Sequence, residues 1–172
     1  RQPGSGVPLD LMDNGRDLGI DFINVAHESS AAIAAGTYGL LKDSAGLALA
    51  VKGVAAANIL GGIDNDYIER LPVLCVCETT PSYSYENELV QHTDHKKIMG
   101  SLTKRNSTIS TDNPTKTIID SYKIAGSDIE GPVLIDFPSD LGLAEVAESN
   151  YKETKISVDE LDKNLIKNII NI

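Results

Sequence analysis

One carboxylate in this chain stands where it could do acid–base chemistry. Glu28 follows the segment Ile20 to His27 and precedes a run of small residues, Ser29 to Gly39. The first segment reads as a strand and the second as a helix. Glu28 is therefore expected at the C-terminal end of a strand, in the first turn of the next helix. In open α/β sheets that edge is where ligands bind. A carboxyl group there can share a proton near neutrality when burial raises its pKa. A plain structural use is equally open, because the helix dipole and unpaired N–H groups favour an acidic side chain in a first turn.

Neighbouring residues limit the alternatives. His27-Glu28 begins a zinc-protease pattern, but that pattern needs a second histidine one turn on, and position 31 is Ala. His92, Asp94 and His95 fall short of a metal site and read as a solvated loop or helix start, so no metal ligands are assigned. Ser29 and Ser30 lack the strand-turn elbow of a serine nucleophile. Gly36 and Gly39 lie within the expected helix, where small residues permit close packing rather than cradle a phosphate.

The scaffold for these residues alternates between strand and helix patterns. Ile20 to Val25 reads as a strand and Ser29 to Leu41 as a helix. Gly46 to Val51 is a second strand, and Gly53 to Asn58 is a turn entering a helix that runs through about Tyr67. Pro72 to Cys77 is a third strand without polar alternation, so it is buried on both faces. Glu78 to about Thr93 is polar, includes Tyr83 and Tyr85, and reads as a surface loop. Lys104 to Ile109 suggests a short strand, Asn113-Pro114 opens a helix through Ala125, and Gly131 to Pro138 is a last buried strand. This order implies βαβ units and a doubly wound, mostly parallel α/β sheet with helices on both faces.

The domain is expected to span 1–144. Residues 145–172 read as a linker followed by a helix start, Val158 to Ile172, whose apolar stripe needs a surface from elsewhere. The first residue is Arg1 rather than Met, and the last falls inside that helical pattern. A fragment of a longer polypeptide, or one subunit of a hetero-complex, is expected.

The net charge of -10 repels phosphate backbones, which argues against nucleic acid as a partner. No apolar run reaches the roughly 18–20 residues that cross a bilayer, and no secretory signal opens the chain. A cytoplasmic protein is expected, with no membrane partner. Cys75 and Cys77 share one face of a strand, a placement unsuited to a disulfide, so two buried, reduced thiols are expected.

Several segments occur together in the order and spacing of one known domain. They are Pro3-Gly4 with Leu9, His27-Glu28 with Ala31 and Ala35-Gly36-Thr37-Tyr38-Gly39, Gly46, and Gly53 with Asn58. Pro72-Val73-Leu74, Gln91-His92-Thr93-Asp94, Thr103-Lys104 and the run Gly131 to Asp140 complete the set. The chain resembles the N-terminal, pyrimidine-binding domain of thiamine-diphosphate-dependent enzymes of the acetolactate synthase, pyruvate oxidase and pyruvate decarboxylase group. The resemblance covers about positions 1 to 140.

That resemblance implies a role for Glu28. In the family a glutamate shares a proton with N1′ of the aminopyrimidine, favouring the imino tautomer whose nitrogen takes the C2 proton. Such a carboxyl is expected to be buried. Pro3, Gly4, Gly53, Val54, Ala55 and Asn58 match positions around the pyrimidine. Gln91 and His92 match a loop that faces the substrate, His92 standing in place of an acidic residue. Each has a structural alternative: Pro3-Gly4 as a turn, Asn58 as a helix cap, Gln91 as surface.

The chain also departs from the family pattern. Gly53-Val54-Ala55 replaces Gly-Pro-Gly, and Lys52 stands where a small hydroxylated residue is common. No Gly-Asp-Gly followed by Asn, the metal and diphosphate motif, occurs. The implied cofactor is thiamine diphosphate with Mg²⁺, its metal and diphosphate held by a domain outside this chain; the resemblance leaves a flavin open. That domain, of the same or another chain, is the expected partner. A homodimer or tetramer is expected through helices carrying Ala31, Ala32, Ile33, Ala35, Ile59, Leu60 and Ile63. The implied function is half of an active site for 2-oxo acids such as pyruvate, acetolactate-synthase-like on the strength of Gln91 and Thr103-Lys104. The alternatives are a degenerate interaction domain and the small subunit of a two-subunit 2-oxo acid decarboxylase.

Overall fold

The computed structural model describes residues 6–83 and 91–146. Helix α1 (Val7–Asp17) opens with Pro8 in its first positions and Asp10 in its first turn, both suited to a helix start. Helix α2 (Glu28–Lys42) is capped by His27, whose Nδ1 accepts from the Ser29 N–H at 3.2 Å. Strand β1 (Gly46–Ala50) leads through Gly53, at φ 70, into α3 (Val54–Ile68). Strand β2 (Val73–Thr79) is buried along its whole length. Helix α4 (His95–Met99) is capped by Asp94 and runs into a 3-10 turn, Gly100–Leu102. Strand β3 (Asn106–Thr108), helix α5 (Pro114–Ala125, capped by Asn113) and strand β4 (Val133–Pro138) follow.

The four strands are all parallel and lie in the order β1-β2-β4-β3. Leu47 is level with Leu74, and Leu74 with Val133. From β2 the chain leaps to the far edge and returns to fill the gap with β4. The winding direction therefore reverses between β2 and β4, the place where such sheets open a crevice.

Alternate residues of the strands feed two cores. On one face Ala48, Ala50, Val73, Cys75, Cys77 and Leu134 pack with Ala32 of α2, with Ala56, Ile59 and Ile63 of α3, and with Met99. On the other, Leu74, Val76, Val133 and Ile135 pack with Ala125 of α5, and Leu11 of α1 lies against them. Helices thus cover both faces, as the doubly wound α/β class requires. One contact explains the glycine that opens β1: a β-carbon at Gly46 would meet the Ala35 carbonyl oxygen at 1.9 Å, so α2 and β1 touch backbone to backbone.

Two expectations are corrected. Ile20 to Val25 is not a strand. A strand exists through its ladder, and among the described residues none pairs with this segment. The Ile20 N–H is engaged by Gly15 O at 2.9 Å in the turn that ends α1, and Ile23 is 87% exposed. Helix α1 itself was not anticipated. The segment from Glu78 to Thr93 is not all surface loop either: β2 continues to Thr79, with Glu78 beside Phe137 and Thr79 beside Pro138, and Glu78, Thr79 and Thr80 are buried. Residues 84–90 and the expected linker and terminal helix beyond 146 lie outside the described residues. Among the described residues no helix is long and apolar enough to cross a membrane.

Candidate functional site

Glu28 begins α2, and α3 supplies its partner. The Asn58 Nδ2 donates to Glu28 Oε2 at 3.1 Å, and Ser29 Oγ donates to the Asn58 carbonyl oxygen. The start of α2 and the second turn of α3 are tied at one point by residues 30 positions apart. Close packing makes this possible: a β-carbon at Gly62 would meet the Ser29 carbonyl oxygen at 2.4 Å. Glu28 is half-buried rather than enclosed. The burial expected for a proton-sharing carboxyl is therefore incomplete within this chain.

The turn before α3 forms the next wall. Gly53 has φ 70 and ψ -117, a conformation that side chains resist. Gln91 lies on it: a β-carbon at position 53 would fall 2.7 Å from the Gln91 β-carbon. Gln91 is itself left-handed, at φ 57, and exposed. Beside it, His92 Nδ1 lies 3.5 Å from the Thr80 hydroxyl at the end of β2. Val54 points outward, 69% exposed, whereas Ala55 turns into the core at 6%. Of the two departures in this turn, one side chain alone faces outward.

Of the candidates named from sequence, Glu28 and Asn58 touch, and Gly53 and Gln91 touch. His92 reaches Thr80 instead of those four. Pro3 and Gly4 lie outside the described residues. Ala32, Ile59 and Ile63, expected to serve a contact between subunits, are buried in this chain's own core. That correction follows from helix geometry, since their stripe faces the sheet. Ile33, Tyr38, Leu40 and Leu41 on α2 are instead exposed.

Two carboxylates escaped the sequence reading. Glu78 is 6% exposed and accepts the backbone N–H groups of Val7 and Lys52. Burial pushes its carboxyl above the usual range, against the opposing pull of Lys52. It ties the start of α1 to the segment after β1. Asp136 is 5% exposed on β4, and its Oδ1 meets His95 Nδ1 at 2.9 Å. His95, expected in a solvated loop or helix start, does start a helix but is 1% exposed. A signal was present: an Asp inside the apolar run Val133-Leu-Ile-Asp-Phe137 has to find a partner. A cavity of about 310 Å³ lies over the reversal between β2 and β4, lined by Thr79, Thr80, Lys96, Thr108 and Asp136 among others. Among the described residues no three His, Cys, Asp or Glu side chains gather as a metal site.

The family model described as "Thiamine pyrophosphate enzyme, N-terminal TPP binding domain" matches residues 5–98 of the 172. The chain belongs to this family. Its relatives agree with that membership. An acetolactate synthase of Arthrospira platensis is 29% identical over 146 residues, covering 83% of this chain and 25% of the relative. The acetolactate synthase large subunit of Lactococcus lactis is 29% identical over 168 residues, covering 92% of this chain and 29% of the relative. A probable acetolactate synthase large subunit of Methanocaldococcus jannaschii is 29% identical over 150 residues, with 87% and 25% covered. The chain thus spans between a quarter and a third of the length of these relatives. Within a TPP-binding domain, the Glu28–Asn58 pair and the Gly53–Gln91 contact lie in segments that the family model covers.

Proposed function

We propose that this chain supplies the pyrimidine-binding half of a thiamine-diphosphate active site for 2-oxo acids such as pyruvate, in an acetolactate-synthase-like enzyme. The observation that carries the reading is the hold of Asn58 on Glu28 at the mouth of the α2–α3 contact. The residues present fit an aminopyrimidine. One carboxylate oxygen is fixed by an amide, a glycine turn without a β-carbon opens the helix that carries that amide, and the carboxyl keeps an open side.

Thiamine diphosphate, when bound, supplies an electron sink for the carbanion that forms on cleavage of a 2-oxo acid. Glu28 holds the proton that passes to and from the ring nitrogen. Asn58 keeps the carboxyl turned toward that nitrogen, and Ser29 fixes Asn58 in turn. Gly53 gives the ring a close backbone approach, with Val54 at the rim. Gln91 and His92 meet the substrate. A second domain, of the same or another chain, holds the diphosphate and Mg²⁺ and covers the open side of Glu28.

A second reading rests on Val54. An exposed branched side chain at the turn suits a domain that has kept the fold and lost the cofactor. Glu28→Gln in the full polypeptide, with its diphosphate-binding domain, separates the two. Gln keeps the size and a hydrogen bond but cannot share the proton. Proton exchange at C2 of bound cofactor, followed by NMR, is expected to slow by about 10²–10⁴-fold. Exchange at the wild-type rate would leave Glu28 a helix-start residue worth at most about 1 kcal/mol, and would move the degenerate domain ahead.

A further inference from the structure

The loop carrying Gln91 and His92 connects to a helix that cannot hold itself. Helix α4 has five residues, far too few for independent stability. Its Asp94 cap accepts from the Lys97 N–H at 3.1 Å, which closes the turn but ties it to nothing else. Its buried polar tie to the sheet is His95, with Nδ1 2.9 Å from Asp136 Oδ1 on β4; the exposed Lys96 Nζ also donates to Thr108 Oγ1 on β3 at 2.7 Å, and Met99 packs in the core. The His95 Nε2 is buried and has no hydrogen-bond partner among the described residues. An apolar ring would fill this space but would leave the buried Asp136 carboxylate without this donor. What the imidazole adds is direction: one donor aimed at one carboxylate.

Four loop residues, 91–94, therefore hang between fixed points on three separate elements. Gln91 rests on Gly53 at the end of the β1–α3 connection, His92 meets Thr80 at the end of β2, and His95 is pinned to β4. Gln91 is held left-handed, a backbone state that a free loop would leave.

We propose that His95 is a positioning residue, whose bond to Asp136 sets the loop that presents Gln91 and His92. The substrate-facing role of those two residues rests on the function proposed above; the anchoring itself does not.

The test compares wild type with His95→Phe, which keeps a ring but loses the donor, and His95→Asn, whose amide can donate from the place of Nδ1. Amide hydrogen exchange is read on the full chain, which needs no activity. In His95→Phe the amides of His92, Thr93 and Asp94 are expected to exchange about tenfold faster or more, while those of β2 and β4 hold their rates. In His95→Asn most of the protection is expected to return. If His95→Phe does not fold, Asp136→Val removes the other half of the bond and is expected to give the same local signature. Wild-type exchange at 92–94 in a folded variant overturns the proposal. So does acceleration spread evenly over the sheet, which marks a merely structural histidine.

With 2-oxo acid as substrate of the complete enzyme, His95→Phe is expected to raise KM by about tenfold, with recovery in His95→Asn. A KM that does not move while 92–94 loosens overturns the link from anchor to substrate. Wild-type protein without thiamine-dependent turnover overturns the proposed function and leaves the exchange result standing.

Discussion

Asn58 holds Glu28 from the neighbouring helix: its side-chain amide donates to Oε2 across 3.1 Å, while its backbone carbonyl accepts the Ser29 hydroxyl. The two bonds run in opposite directions between the same two helices. Asn58→Asp keeps the shape and replaces the donor by a second carboxylate. It is expected to cost about 1–3 kcal/mol at pH 7 by placing two like charges together and leaving an acceptor unmet. Urea unfolding of Asn58→Asp and of the uncharged Asn58→Ala at pH 7 checks this; equal loss in the two would show that the charge plays no part.

Two glycines of one segment are expected to respond in opposite directions. Gly53→Ala must hold a side chain at φ 70 and push its β-carbon into Gln91. The expected cost is about 2–4 kcal/mol, combining backbone strain with the displaced loop. Gly61 lies inside α3, where a β-carbon would find the Ser29 hydroxyl at an ordinary 3.5 Å. Gly61→Ala is expected to stabilise by about 0.5–1 kcal/mol. Thermal melts of both variants give the comparison.

Asp66 should impose a pH dependence on stability. It is fully buried on α3, with Oδ2 unpartnered among the described residues, and burial pushes its pKa from 3.8 to about 6 despite the Asn65 amide. Between those values the folded chain binds more protons than the unfolded one, so stability falls as pH rises from about 4 to about 6. Asp66→Asn is expected to remove this slope and to be relatively more stable at pH 7 than at pH 4. Unfolding free energy measured across pH 4–7 decides it, and parallel curves for wild type and variant would refute it.

Glu78 is the clamp on α1. Glu78→Ala leaves the Val7 and Lys52 N–H groups without their carboxylate. A cost of about 2–4 kcal/mol is expected, with amide exchange rising first in Val7 to Met12 and in Lys52. Glu78→Gln keeps one acceptor oxygen and is expected to lose about half as much.

The sequence made the centre of the sheet plain and its margins obscure, and the reason is burial. Val73-Leu-Cys-Val-Cys77 and Val133-Leu-Ile135 are apolar on both faces, which suits a strand covered by helices on either side. Ile20 to Val25 is largely apolar too, with Asp21 and Asn24 between, yet strand formation needs a neighbouring backbone, which residue types do not encode. Helix α1 went unseen because its polar residues mask a short buried stripe of Val7, Met12 and Gly15. Glu28 stood out because a carboxylate follows a largely apolar segment and opens a small-residue helix, although among the described residues no strand precedes it. His95 and Asp136 were not joined because their partnership spans 41 positions and depends on the return of β4 into the gap beside β2.

The paired sulfur atoms of β2 give this protein a built-in reporter. Cys75 and Cys77 are fully buried, 3.6 Å apart, and the Cys77 thiol is held protonated by its contact with Cys75 and by burial. A loosened loop at 91–94 or a frayed α1 leaves both thiols out of reach, because they stand in the middle of the sheet under α2 and α3. A thiol-reactive dye therefore counts openings of the sheet itself. Its rate separates variants that weaken the whole domain from those that release one edge, in unmodified protein and without an added label.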